Sequence, residues 1–177
     1  MVRAATMFSP LLYAREVAKR PLDGRLLGLP MQAVADGSRW MLRLDQGQDL
    51  FATLNDFARQ HEIRAAVVVS GIGMLKDAAV GYWNGSEYVR MDLPEPHELV
   101  GLHGSIAEAD GPSVHLHAEL AAPSHQLLGG HLMRGTVWVL NEVLIDTFPG
   151  RTFARPMDET LGLRKLDLEP TKISGTR

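Results

Sequence analysis

From residue 39 onward, apolar and polar residues alternate in short blocks. Trp40, Leu42 and Leu44 alternate with Arg39, Met41 and Arg43, which predicts a first strand over Arg39–Asp45. Gly47 ends it, and Asp49 stands where it can cap a helix from Leu50 to about His61. Leu50, Leu54, Phe57 and Ala58 share one helical stripe, with Phe51 at its edge, and read as core. The β-branched run Ala65–Ser70 predicts a buried strand. Ser-Gly-Ile-Gly follows at 70–73, but Lys76 replaces the third glycine of a dinucleotide fingerprint and no helical period follows. Gly71 and Gly73 therefore read as a bulge or sharp bend.

Ala78–Trp83 and Tyr88–Leu93 predict a hairpin about Asn84-Gly85. Leu99–Ala107 and Val114–Leu120 predict a second, turned by Glu-Ala-Asp-Gly-Pro at 108–112. Gly135–Phe148 reads as a long strand with a bulge or bend, closed by Pro149-Gly150. A short strand is expected at Lys165–Leu168, with fraying after Pro170. Hairpin-linked strands with one helix imply an α+β domain, a mostly antiparallel β-sheet with the helix packed on it. Residues 1–37 read as an N-terminal extension, 38–150 as the domain and 151–177 as a C-terminal tail.

The same alternation separates the histidines from the core. Val114, Leu116, Ala118 and Leu120 point one way, and Ser113, His115, His117 and Glu119 the other. On the preceding strand Val100, Leu102 and Ile106 share a face, which leaves His103 opposite with Gly101 and Ser105. Matching the apolar faces puts His103 on the same surface as His115 and His117. The turn Ala-Ala-Pro-Ser-His at 121–125 can return the chain antiparallel, so that His131, after Gly129-Gly130, reaches the pair. Three imidazoles with an open fourth position suit Zn²⁺ and could activate water. Ligand type alone also admits nickel, iron or copper. Glu119 and Glu142 are candidates to orient an imidazole from behind. His61, His97 and His125 read as ordinary surface or satisfied polar residues.

Composition narrows the classes. The 177 residues, 45% hydrophobic and 22% charged, are enough for a proper core. With no cysteine, disulfides and thiolate sites are excluded; a reducing, cytoplasmic location is expected. No apolar run matches a membrane span. The net charge of -3 argues against a simple basic DNA-binding module. The start carries Arg3 and Arg15 without acids, as a transit peptide does, but Pro10, Pro21 and Pro30 interrupt any long helix, and no secretory signal is legible. Ser70, Ser105, Ser113 and Ser124 lie in no nucleophile elbow. The loop Pro-Glu-Pro-His-Glu at 94–98 reads as stiff and solvated, and Trp40, Trp83 and Trp138 as core or interface.

Val-Val-Val-Ser-Gly-Ile-Gly-Met-Leu at 67–75, the strand Glu98–Ile106, His-Leu-His-Ala-Glu-Leu at 115–120, Leu-Gly-Gly-His-Leu at 128–132 and Gly-Thr-Val-Trp-Val-Leu-Asn-Glu-Val at 135–143 occur in one order. In that order they resemble the PPC domain, the "plants and prokaryotes conserved" domain, in its stand-alone prokaryotic form, over roughly residues 39–148. The resemblance implies an α+β fold assembled as a homotrimer. It also implies a metal, zinc being the expectation, on the histidines matching His115, His117 and His131. In plants the domain accompanies AT-hook motifs that bind DNA; no Arg-Gly-Arg-Pro hook is present here.

Three functions follow as expectations. The first is a metal-binding, homotrimeric interaction or regulatory module. The second is a metal-dependent hydrolase or lyase with a small molecule at the metal. The third is a DNA-associated regulator, which would need a basic face.

Overall fold

The structure, a computed structural model, describes residues 31–169. The strands expected between residues 39 and 148 form, and several are longer than their sequence blocks. They are β1 (Gln32–Asp36), β2 (Arg39–Asp45), β3 (Ala66–Trp83), β4 (Tyr88–Leu93), β5 (His97–Glu108), β6 (Pro112–Ala121), β7 (Leu127–Thr147), β8 (Met157–Asp158) and β9 (Leu163–Arg164). The first seven make one sheet in the order β1-β2-β7-β6-β5-β3-β4, with every pairing antiparallel. β3 also pairs with β7, so β3, β5, β6 and β7 close on themselves.

One helix, α1 (Leu50–Gln60), is present among the described residues. Asp49 caps it, its Oδ1 accepting from the Ala52 N–H at 2.8 Å. Leu50, Leu54, Phe57 and Ala58 are buried, as the stripe predicts, and α1 packs on β6 and β7. Its core partners include Leu42, Leu116, Leu120 and Val143. Trp40 meets Phe57 edge-on, ring centroids 5.1 Å apart.

The glycines after Ser70 bend β3 without ending it. Pairing with β7 shifts register between Val68 and Ser70 and again between Gly73 and Leu75. Gly73 has φ +139, and a Cβ there would overlap the Leu140 carbonyl oxygen. The buried Asn141 side chain answers the bend, its Oδ1 accepting from the Met74 N–H at 3.0 Å. Two sequence blocks are therefore one strand.

Four expectations are corrected. β1 forms within the segment read as an extension; its residues are exposed throughout, so no buried alternation marks it. Val100 is 48% exposed because a bulge between Leu99 and Gly101 flips its side; Leu99 takes the core position. His97, read as part of a solvated loop, is buried at the start of β5, with Nδ1 on the Glu95 carbonyl at 2.8 Å. The tail strand is Leu163–Arg164, paired with Met157–Asp158; of Lys165–Leu168 only Asp167 makes a bridge, to Ala154. The expected fraying after Pro170, and residues 1–30 of the extension, lie outside the described residues. No described helix is long and apolar enough to cross a membrane.

Candidate metal centre

β6 and β7 run antiparallel with His117 directly opposite His131 and Ala118 opposite Gly130. The alternation of β6 buries Leu116, Ala118 and Leu120 and turns His115 and His117 to the other face. The close pairing depends on Gly129, where a Cβ would overlap the Ala118 carbonyl oxygen, and on Gly130, whose φ is +150. The two glycines thus bring His131 beside the His-x-His pair.

One ligand nitrogen from each of His115, His117 and His131 lies within 4.8 Å of the others. His115 Nε2 stands 3.0 Å from His131 Nδ1. Nitrogens sharing a tetrahedral zinc stand about 3.3 Å apart, so small ring rotations bring this set to a metal's bite. Tyr88 of β4 stacks on His131, centroids 4.8 Å apart and planes 25° apart, which limits that ring's freedom. His117 is exposed and His115 and His131 half-buried, so the cluster opens to solvent on one side.

The electrostatics favour the neutral form of His115 and His131. Burial, then the charges of Arg155, His131 and His117, push His115 down to about 4 from 6.5. Burial, then His117 and Arg155, also lower His131. A neutral imidazole is the form that ligates a metal, so a metal meets little proton competition at these two rings.

The remaining candidates stand apart. His103 is paired with His117 across β5 and β6, as the shared face predicts, but its Nδ1 donates to the Val69 carbonyl at 2.9 Å. Glu119 lies opposite Gly101 and Gly129, beyond His117, and its carboxylate closes on Gly101 near His103. Both line a hollow beside the cluster with His117, Leu127, Leu128 and Gly129. Glu142 is registered against Arg43 and Ile72 further along β7, and it lines a different hollow with Gln32 and Met41. It does not back the histidines. His61 packs on Trp40 and Phe57, and His125 occupies a turn with φ 65.

Three neighbours of the cluster were not legible as such. Tyr88 belongs to a hairpin whose sequence marks only a strand. Ser105, registered opposite His115, accepts from Arg155 Nη2. Arg155 is buried and reaches His115 Nδ1 at 3.4 Å through Nη1. It comes from the tail, where no periodicity points to a site.

Known proteins share this framework. A metal-containing protein of Archaeoglobus fulgidus superposes with TM-score 0.65 at 30% identity, covering 77% of this chain and 95% of that one. A plant- and prokaryote-conserved (PPC) protein of Pyrococcus horikoshii does so with TM-score 0.64 at 28% identity, covering 82% and 100%. The bifunctional protein GlmU of Synechococcus sp. (strain JA-2-3B'a(2-13)) is 34% identical over 131 residues, 73% of this chain. The chain spans only 20% of that protein's length. The strand order, the glycine-bent β3 and the Gly-Gly-His turn all fall inside residues 31–149, which match the Plants and Prokaryotes Conserved (PCC) domain, and the chain belongs to that family.

Proposed function

We propose that this chain binds a divalent transition metal, zinc by preference, through His115, His117 and His131, and acts as a homotrimeric interaction or regulatory module. The observation that carries the reading is the approach of three imidazole nitrogens to within 4.8 Å on two paired strands. Imidazole suits zinc, and three such ligands leave a fourth position for water or a partner group. The metal-containing character of the Archaeoglobus fulgidus protein of the same fold supports it. Self-association is supported by exposed apolar residues on neighbouring strands, Val69 and Ile72 on β3 and Val100 on β5.

A second reading, a metal-dependent hydrolase or lyase, is favoured by one feature. The hollow lined by His103, His117 and Glu119 adjoins the cluster and offers room and polar groups for a small molecule. The DNA-associated reading gains no support from a net charge of -3.

Metal analysis of the purified full chain beside the double variant His115→Ala/His117→Ala tests the proposal. The expected result is near-stoichiometric metal in the wild type and almost none in the variant. Negligible metal in both would remove it. Light scattering tests the assembly, and a stable monomer would contradict the trimer.

A further inference from the structure

The tail after residue 150 lies beyond the matched family domain, yet it delivers a cation to the candidate metal centre. Ala154 bridges Glu108 in parallel, and the Arg155 N–H donates to the Glu108 carbonyl at 3.0 Å. Arg164 Nη1 holds the Arg155 carbonyl at 2.9 Å. So anchored, the Arg155 side chain is only 6% exposed. Nη2 bonds Ser105 Oγ, Nη1 faces His115 Nδ1 at 3.4 Å, and the buried Nε has no partner among the described residues.

Both partners of this guanidinium are neutral. The described ion pairs involve Arg39, Arg43, Arg59, Lys76, Arg90, Arg134 and Lys165, never Arg155. A buried cation without a counter-ion is costly. Glu119 and Glu98, the acids that β5 and β6 carry on this face, stand at the opposite end of the row, beyond His117. A dication held by three neutral imidazoles would add charge without compensation. The contact with His115 points the same way. Its Nε2 faces His131. With Nε2 engaged by a metal, the proton resides on Nδ1, which then cannot accept from Nη1. The guanidinium is left with free donors toward the cluster.

We infer that Arg155 is an anion-binding residue of this centre, and that the ligand taken beside the metal carries an oxyanion, a carboxylate or phosphate. A guanidinium fork matches that geometry and is not interchangeable with an ammonium. The inference rests on the metal-binding reading above and gives its open position a ligand class.

The test uses the full chain loaded with Co²⁺, whose visible bands report the metal's ligands, titrated with inorganic phosphate. In the wild type, phosphate is expected to shift the bands saturably. Arg155→Met is expected to keep its cobalt and bind phosphate at least about tenfold more weakly, the loss of a charge-assisted contact. Imidazole, a neutral ligand, should bind both within about twofold, since it needs no counter-charge. Should Arg155→Met not fold, Arg155→Lys decides, expected to bind phosphate several-fold more weakly because it lacks the fork. Failure of the wild type to take up cobalt overturns the metal reading and this inference together. Cobalt uptake with no phosphate binding, or with equal affinity in the folded variant, overturns the Arg155 assignment alone.

Discussion

His115 Nε2 and His131 Nδ1 lie 3.0 Å apart although 16 residues separate them along the chain. One of the two must carry a proton and the other a lone pair for that contact to hold without a metal. The shared proton and the lowered basicity of both rings describe a pair kept neutral by partial burial and by the Arg155 and His117 charges nearby. That neutrality links the candidate site to the stability of the metal-free protein.

The linkage has a definite sign. His115 is held at about 4 in the fold against 6.5 when free, so between those values the unfolded chain binds more protons. Stability from this group is complete above the free value and is lost as pH falls toward the folded one. His131 shifts in the same direction. Urea midpoints of the metal-free protein should therefore fall between about pH 7 and about pH 5, and His115→Gln should flatten that dependence. Equal slopes in the two proteins would show that the histidine cluster does not carry it.

His103 gives the control for metal binding. It is paired directly with His117, yet its Nδ1 is committed to the Val69 carbonyl. Removal of a proposed ligand, in His131→Ala, is expected to weaken zinc binding by well over about a hundredfold, more than loss of an outer partner costs. His103→Ala should leave zinc stoichiometry unchanged. Competition with a coloured zinc chelator distinguishes the two, and comparable losses in both would move His103 into the ligand set.

The alternation of β6 made the site legible, because one face of that strand is buried and the other is not. Leu116, Ala118 and Leu120 fix which way His115 and His117 point. The return of β7 was readable from the turn at 121–125 and the paired glycines. Where a backbone irregularity intervenes, alternation misleads: the bulge at Leu99–Gly101 moves Val100 outward while leaving His103 where the pattern put it. β1 escaped because exposure on both faces leaves no period. Arg155 escaped for a different reason. Its place is set by the docking of Ala154 against Glu108, a contact between segments with no local signature.

Tyr88 acts on the site through packing. Its ring stacks on His131 at 4.8 Å and meets Trp83 edge-on at 5.2 Å. Tyr88→Ala removes both contacts and should cost about 0.5–1.5 kcal/mol for each aromatic pair, beyond the buried area. All three proposed ligands remain, so zinc should still bind at full stoichiometry, with lower affinity as His131 gains freedom. Chemical denaturation with a zinc titration measures both. Unchanged stability would mean that the stack contributes nothing.

Gly129 is the position at which backbone and site are most tightly joined. It lies opposite Glu119, one residue from the Ala118–Gly130 pair and two from His131, and a Cβ would overlap the Ala118 carbonyl oxygen. That contact is backbone, so no flexible side chain can give way. In Gly129→Ala the β6–β7 pairing must spread, at a cost of about 1–3 kcal/mol, the usual range for overpacking. The spread separates His131 from His117, which that pairing holds opposite each other, so zinc affinity should fall together with stability although no ligand is altered. At Gly37, in the exposed β1–β2 turn, nothing lies within 4 Å of an added Cβ, and the neighbouring Arg39 is registered against Asp146, far along β7 from His131. Gly37→Ala meets only the strain of its φ of +59 and should leave zinc affinity intact. Zinc affinities that fall equally in the two variants would detach the site from the close approach of β7 to β6.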